Sequence, residues 1–212
     1  MGIARLPADA TSGEELLRKA DSALYRAKHS GRGEVCLYDA RQDEALSERH
    51  MLEQQLREGI ATGQFVPFYQ PIVNLDQRNV MSLELLCRWR HPERGLLGPD
   101  KFIALAESSG LIGPLTMALL RAACQDMSLF PPHWRVSFNV APQQIQDEHL
   151  VPQLLSILRE AGVAPSRLDV ELTETALVND TARARQVILG LKRAGMTVAL
   201  AKNTMTTVTQ LF

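Results

Sequence analysis

The sequence predicts an α/β fold, an incomplete TIM-type (β/α) barrel with a smaller α/β unit in front of it. Three observations lead there. From residue 65 onward, apolar strand-like runs alternate with amphipathic helical stretches, the pattern of parallel β/α units. The first two of these runs are joined only by a short turn around Asp76–Asn79, which favours antiparallel pairing because a parallel crossover takes about a dozen residues or more. The series reaches only its fifth strand before Phe212, whereas a closed eight-stranded barrel takes about 250 residues.

In chain order, residues 2–6 read as the end of a strand and Pro7–Gly13 as a turn. Gly13–Ser30 reads as a helix with Leu16, Leu17, Ala20, Ala23, Leu24 and Ala27 on one face. Gly31 and Gly33 break it before a short strand at 35–38. A helix over 42–62 follows, with Met51, Leu52, Leu56 and Ile60 as its buried stripe and Gly63 just past its last turn. Strands are expected at Phe65–Val73 and Val80–Trp89, then a loop at His91–Pro99 and helices at 99–108 and 111–129. The remaining expectations are a strand at Arg135–Val140, a helix at 142–161, a strand at Arg167–Leu172, a helix at 179–194 and a strand at Thr197–Leu200. The organisation predicted is a unit at 1–40, a linking helix at 41–63 and a main unit at 64–212.

Composition narrows the function. With 23 basic and 24 acidic residues the formal net charge is −1, so a general DNA or RNA binder is not expected; a pocket for one small anionic nucleotide is compatible, because a few Arg side chains suffice. The three cysteines, Cys36, Cys87 and Cys124, form no CxxC pair, which argues against a zinc site or disulfide framework and for a reducing cytoplasm. The N-terminus has no apolar signal-peptide core, and no stretch approaches the ~18 apolar residues of a membrane span. The five histidines are far apart and show no metal-binding spacing. Cys87, Cys124, Trp89 and Trp134 are read as packing residues.

In β/α barrels the reactive groups sit at the carboxyl ends of strands. Polar residues in otherwise apolar strands are therefore the candidates: Glu84 in SLELLCRW, Asn139 in VSFNVA, and Glu171 with Glu174 in DVELTET. A buried carboxylate is normally paired or bound to a metal, and Glu and Asn oxygens suit hard cations. On pattern alone the first reading is that of satisfied polar residues at strand ends, which are common in β/α proteins.

The words themselves add more. FYQPIVNL followed by SLELLCRWRHPERGLLGPDKFIALAESSGLI, and then SFNVAPQQIQDEHLVPQLLSILREAGVAPSRLDVELTETALVND, closely resemble the EAL domain of cyclic-di-GMP phosphodiesterases. The Glu-Ala-Leu signature stands here as Glu84-Leu85-Leu86, with Arg88 completing the ExLxR form. The resemblance runs from about residue 48 to 200 and implies a modified β/α barrel whose first strand is antiparallel. It implies metal coordination (Mg²⁺ or Mn²⁺) by Glu84, Asn139 and Glu171, with Glu174 steadying the metal site. It implies a phosphate contact for Arg88 and a nucleotide-pocket lining at Gln70 and Pro71. In an intact member the cations activate a water that opens cyclic-di-GMP to linear pGpG. Residues 1–40, with the ALYRAK helix, resemble the C-terminal end of a GGDEF, or diguanylate cyclase, domain; the loop that names that family is not among them.

The sequence departs from the EAL pattern after LKRAGMTVALA. Where the family has Asp-Asp-Phe-Gly, the chain reads Ala201-Lys202-Asn203-Thr204. Two metal-binding carboxylates are thereby replaced by a methyl group and a cation, which predicts weakened or lost metal binding and no functional catalytic set. Lys202 either pairs with Glu84 or Glu171 or points to solvent. The family's later catalytic lysine and last barrel strands do not follow, and an open barrel edge would invite self-association or a protein partner. Three functions stay open: a catalytically inactive module that binds cyclic-di-GMP or a protein partner, a non-functional fragment of a GGDEF–EAL protein, and a phosphodiesterase completed by another chain.

Overall fold

The computed structural model describes residues 1–29, 34–74, 79–173 and 181–201. The chain divides into two compact units, Met1–Gln55 and Leu56–Phe212.

In the first unit, β1 (Gly2–Ile3) and β2 (Cys36–Leu37) pair in parallel, with α1 (Gly13–His29) between them in sequence. Ser12 Oγ accepts from the Glu15 amide, a free N–H of the first turn of α1, and the Glu15 carboxylate reaches back to the Thr11 amide just before the helix. Ala23 and Ala27 are buried as the α1 pattern predicts, but Leu17 is exposed. It lies at the margin of the stripe, and two two-residue strands cover little of the helix. α2 (Ala40–Ala61) begins at Asp39, whose carboxylate accepts from the Arg41 and Gln42 amides, as an N-cap does.

Within the second unit, the end of α2 buries Leu56 and Gly59, whereas Met51, in the first, is exposed against expectation. A Cβ at Gly59 would stand 3.0 Å from Trp89 Nε1 and 3.1 Å from Phe65, so only glycine lets the helix approach so closely. Gly63, at φ +72°, closes α2, and the Gln64 amide returns to the Gly59 carbonyl at 2.9 Å. That is the left-handed helix stop expected from the sequence. Gln64 then accepts from Trp89 Nε1 at 2.9 Å, and Phe65 stacks on Trp89 with ring centroids 5.0 Å apart.

The sheet runs β3 (Phe65–Asn74), β4 (Asn79–His91), β6 (Arg135–Val140), β7 (Leu168–Thr173) and β8 (Thr197–Ala201), with β5 (Gly95–Leu97) attached to β4. β3 and β4 are antiparallel, as predicted, and β4, β6, β7 and β8 follow in parallel. β5 is a correction, because the sequence reads as a loop there. The turn before it is closed by the buried His91, whose Nδ1 accepts from the Glu93 and Arg94 amides at 3.2 Å each. Helices α3 (Ile103–Ser108), α4 (Ile112–Met127), α5 (Pro142–Ile145), α6 (Leu150–Glu160) and α7 (Thr181–Arg193) make the crossovers. The single helix expected over 142–161 is two, because the Asp147 carboxylate takes the His149 amide at 2.9 Å in a local turn that competes with helical bonding.

Strand side chains alternate, so the sheet has two distinct faces. Leu83, Leu85, Val136, Phe138, Val140, Leu168, Val170 and Leu172 pack with Leu120, Leu154, Leu158 and Leu191 from the helices in one continuous core. Tyr69 donates to Asp126 on α4 at 2.8 Å, and burial and that carboxylate together hold its phenol protonated. Arg167 donates to the carbonyls of Met127, Pro131 and Trp134, which anchors the loop before β6. Trp89 and Cys124 are core residues, as read from sequence.

Leu172→Ala in the central strand β7 is expected to lower the unfolding free energy by about 2–5 kcal/mol in urea denaturation. Leu129→Ala, at a side chain 84% exposed, is expected to change it by no more than ~0.5 kcal/mol.

Candidate functional site

The face opposite the core carries the chemistry. In β4 the residues of this face are Ser82, Glu84, Leu86 and Arg88, and in β3 they are Val66, Phe68, Gln70 and Ile72; Gln70 is in register with Glu84. Glu84 is in register with Ser137 of β6, and Asn139, two residues on, with Glu171 of β7. Glu171 in turn pairs with Ala199 of β8, and Thr173 with Ala201. Five of the sequence candidates, Gln70, Glu84, Arg88, Asn139 and Glu171, thus share one face. Pro71 pairs with Leu83 and lies on the other side of β3. Glu174 and Lys202 lie outside the described residues.

Glu84 and Glu171 are half-buried and Asn139 is exposed. Asn139 Nδ2 donates to Glu84 Oε1 at 3.3 Å. Burial, and then the negative charge of Glu171, raise the Glu84 carboxyl above its usual 4.5, while the Asn139 amide acts in the opposite direction. Two carboxylates that repel each other beside an amide oxygen form a donor set suited to a hard divalent cation, so Glu84, Asn139 and Glu171 fit such an ion. The set is short of the six oxygens such ions take, and β8 adds only alanines at the neighbouring register positions. Among the described residues no group of three or more His, Cys, Asp or Glu side chains is placed to hold a metal.

Arg88 is half-buried on the same strand as Glu84. Its guanidinium lies 5.5 Å from the centre of the Phe68 ring, and Nη1 donates to the Cys87 carbonyl at 2.9 Å. The aromatic face and the carbonyl orient a planar fork that suits a phosphate. Cys87 is no nucleophile, since burial pushes its thiol up to about 12.

Toward the amino ends of the strands, Arg135 bridges Asp169 and Thr197 on the same face. This polar cluster was not among the sequence candidates. Counting by two from Asn139 to Arg135 and from Glu171 to Asp169 would have placed both on that face. Ser137 is buried between the Glu84 and Asp169 positions, and among the described residues its hydroxyl has no hydrogen-bond partner.

The raised Glu84 pKa makes a signed prediction. The folded chain holds this proton more tightly than the unfolded one, so its contribution to stability is present below pH 4.5 and is lost as the pH rises through the folded pKa. Glu84→Gln is expected to raise the melting temperature at pH 7 and to leave it almost unchanged at pH 3.5. An unchanged or lower melting temperature at pH 7 would contradict this electrostatic reading.

Comparison with known proteins fits this geometry. The family model described as EAL domain matches residues 53–206. The cyclic di-GMP phosphodiesterase PdeR of Escherichia coli (strain K12) is 34% identical over 203 residues, covering 94% of this chain and 31% of that protein. NbdA, a cyclic di-GMP phosphodiesterase of Pseudomonas aeruginosa, is 33% identical over 204 residues, covering 94% of this chain and 26% of that protein. A solved structure described as the PaMucR phosphodiesterase in complex with c-di-GMP superposes with a TM-score of 0.66 at 29% identity, covering 71% of this chain and 62% of that one. The chain spans about a quarter to a third of the length of these curated relatives. With the family match extending over most of the chain and the same β/α architecture beneath it, this protein belongs to the EAL domain family.

Proposed function

We propose that this chain is a cyclic-di-GMP signalling module that binds the nucleotide without hydrolysing it. The observation that carries the binding half is the convergence of Arg88, Gln70, Glu84, Asn139 and Glu171 on one sheet face, with Asn139 bonded to Glu84. Arg88, held over Phe68, supplies the bidentate phosphate contact. Gln70, beside Glu84 in register, lines the nucleotide pocket, and Pro71 shapes the strand next to it. The PaMucR structure is itself described as a c-di-GMP complex, and the FimX EAL domain from Pseudomonas aeruginosa as bound to c-di-GMP.

The non-hydrolytic half rests on β8. Resemblance puts the family's two aspartates at Ala201 and Lys202, and the register sets Ala201 directly across from Thr173, two residues beyond Glu171. A methyl group offers no ligand and an ammonium repels a cation. A bound Mg²⁺ or Mn²⁺ would supply Lewis-acid polarisation and an activated water. Glu84, Asn139 and Glu171, with Glu174 as support, would hold it weakly. In this reading Lys202 takes the place of the cation by pairing with Glu84 or Glu171. Residues 1–40 are the end of a GGDEF domain, 41–63 the link and 64–212 the EAL unit. The chain works in the cytoplasm, where its three free cysteines stay reduced, and a protein partner or a second copy meets its sheet edge. Among the described residues no helix is long and apolar enough to cross a membrane.

The opposing reading, an active phosphodiesterase whose ligand set another chain completes, is favoured by the activity in the names of PdeR and NbdA. Calorimetric titration with cyclic-di-GMP in Mg²⁺ separates the two. Saturable binding is expected, weakened about tenfold or more by Arg88→Ala, with no linear pGpG on chromatography after prolonged incubation. Formation of pGpG would support the phosphodiesterase reading instead, and absence of binding would remove the nucleotide from the account.

A further inference from the structure

A cavity of about 320 Å³ opens between β4, β6 and the helices α3–α5. That volume is at the lower end of the ~300–1,000 Å³ typical of small-molecule sites. Most of its wall is aliphatic or aromatic, with Leu85, Leu115, Leu119 and Phe138 among the lining residues. Glu107, half-buried, is the only carboxylate of the lining and disfavours an anionic occupant. A nucleotide phosphate is therefore the wrong chemistry for this space.

One buried polar side chain gives the cavity a direction. Gln144 is 5% exposed. Its Oε1 accepts from the Ala141 amide at 3.0 Å, and because a backbone N–H can only donate, the orientation of the carboxamide is fixed. The Thr116 hydroxyl lies 2.8 Å from the Ile112 carbonyl and 3.4 Å from Gln144 Oε1, the shorter contact being its better acceptor. Among the described residues Gln144 Nε2 has no hydrogen-bond acceptor. A buried N–H donor without a partner is costly, and an acceptor brought by an occupant relieves that cost. Cys87, also in the wall, is held as an unreactive thiol, so the occupant is held without a covalent bond.

We propose that this cavity is a binding site for a neutral, mainly apolar small molecule with one carbonyl or ring-nitrogen acceptor, which takes its hydrogen bond from Gln144 Nε2. It adjoins the charged sheet face, since Leu86 of β4 and Asn139 of β6, both on that face, are also in its wall.

The test uses the full chain, ¹³C-labelled at its leucine methyls, and two probes of one shape. Acetophenone carries the carbonyl, and α-methylstyrene replaces it with a CH₂ group. Acetophenone is expected to saturate shifts of the Leu115 and Leu119 methyls and to bind about tenfold tighter than α-methylstyrene. Gln144→Met is expected to abolish that preference while leaving α-methylstyrene affinity within about twofold; retained α-methylstyrene binding shows that the variant is folded. Absence of saturable shifts up to the solubility limit, or equal affinity of the two probes for the unaltered chain, would overturn the proposal. The second result would assign the Gln144 amide to a purely structural role.

Discussion

The in-register parallel pairing of β4, β6, β7 and β8 is the constraint on which the rest of the second unit depends. Side chains alternate with a period of two, so a slip of one residue would turn Glu171 into the helix-facing core and Leu172 out of it. The register is held from the core side by Val136, Phe138, Val140, Leu168, Val170 and Leu172, all buried. Burial on one face therefore fixes chemistry on the other. Glu84, Asn139 and Glu171 stand together because their apolar neighbours cannot be exposed without losing the core.

That arrangement concentrates negative charge. Burial and the nearby charge of Glu171 raise the cost of ionising Glu84, and the Asn139 amide compensates only in part. In the proposed reading this electrostatic conflict is met by a cation or a cationic side chain. The neighbouring strand decides which. β8 presents Ala199 and Ala201 at the adjoining register positions, and Lys202 follows directly in sequence. The proposed loss of catalysis follows from that change alone. The proposed nucleotide-binding half of the site rests on other groups, above all the Arg88 guanidinium, which β4 positions independently of β8.

Much of this was legible in the sequence. Strands β3, β4, β6, β7 and β8 appear where apolar runs alternate with helical periodicity, and the short link between β3 and β4 signalled their antiparallel pairing. The shared face of Glu84, Asn139 and Glu171 was accessible as polar interruptions of apolar strands. What escaped was set by contacts distant in sequence or by local turns without a composition signal. β5 is three residues behind a histidine-capped turn, too short for any periodicity. The division of the 142–161 helix depends on one Asp147 hydrogen bond. The Arg135–Asp169 pair joins neighbouring strands 34 residues apart in sequence. The unpaired Gln144 amide is visible only once α4 and α5 are packed against β6.

The central claim is that β8 removes the cation ligands while the rest of the site persists. Mn²⁺ affinity, read by electron paramagnetic resonance in the unaltered chain and in the Ala201→Asp, Lys202→Asp double variant, tests it most directly. The account predicts weak binding in the unaltered chain and an affinity at least about tenfold higher in the double variant, from two added carboxylates and one removed cation. Tight binding in the unaltered chain that the double variant does not improve would contradict it.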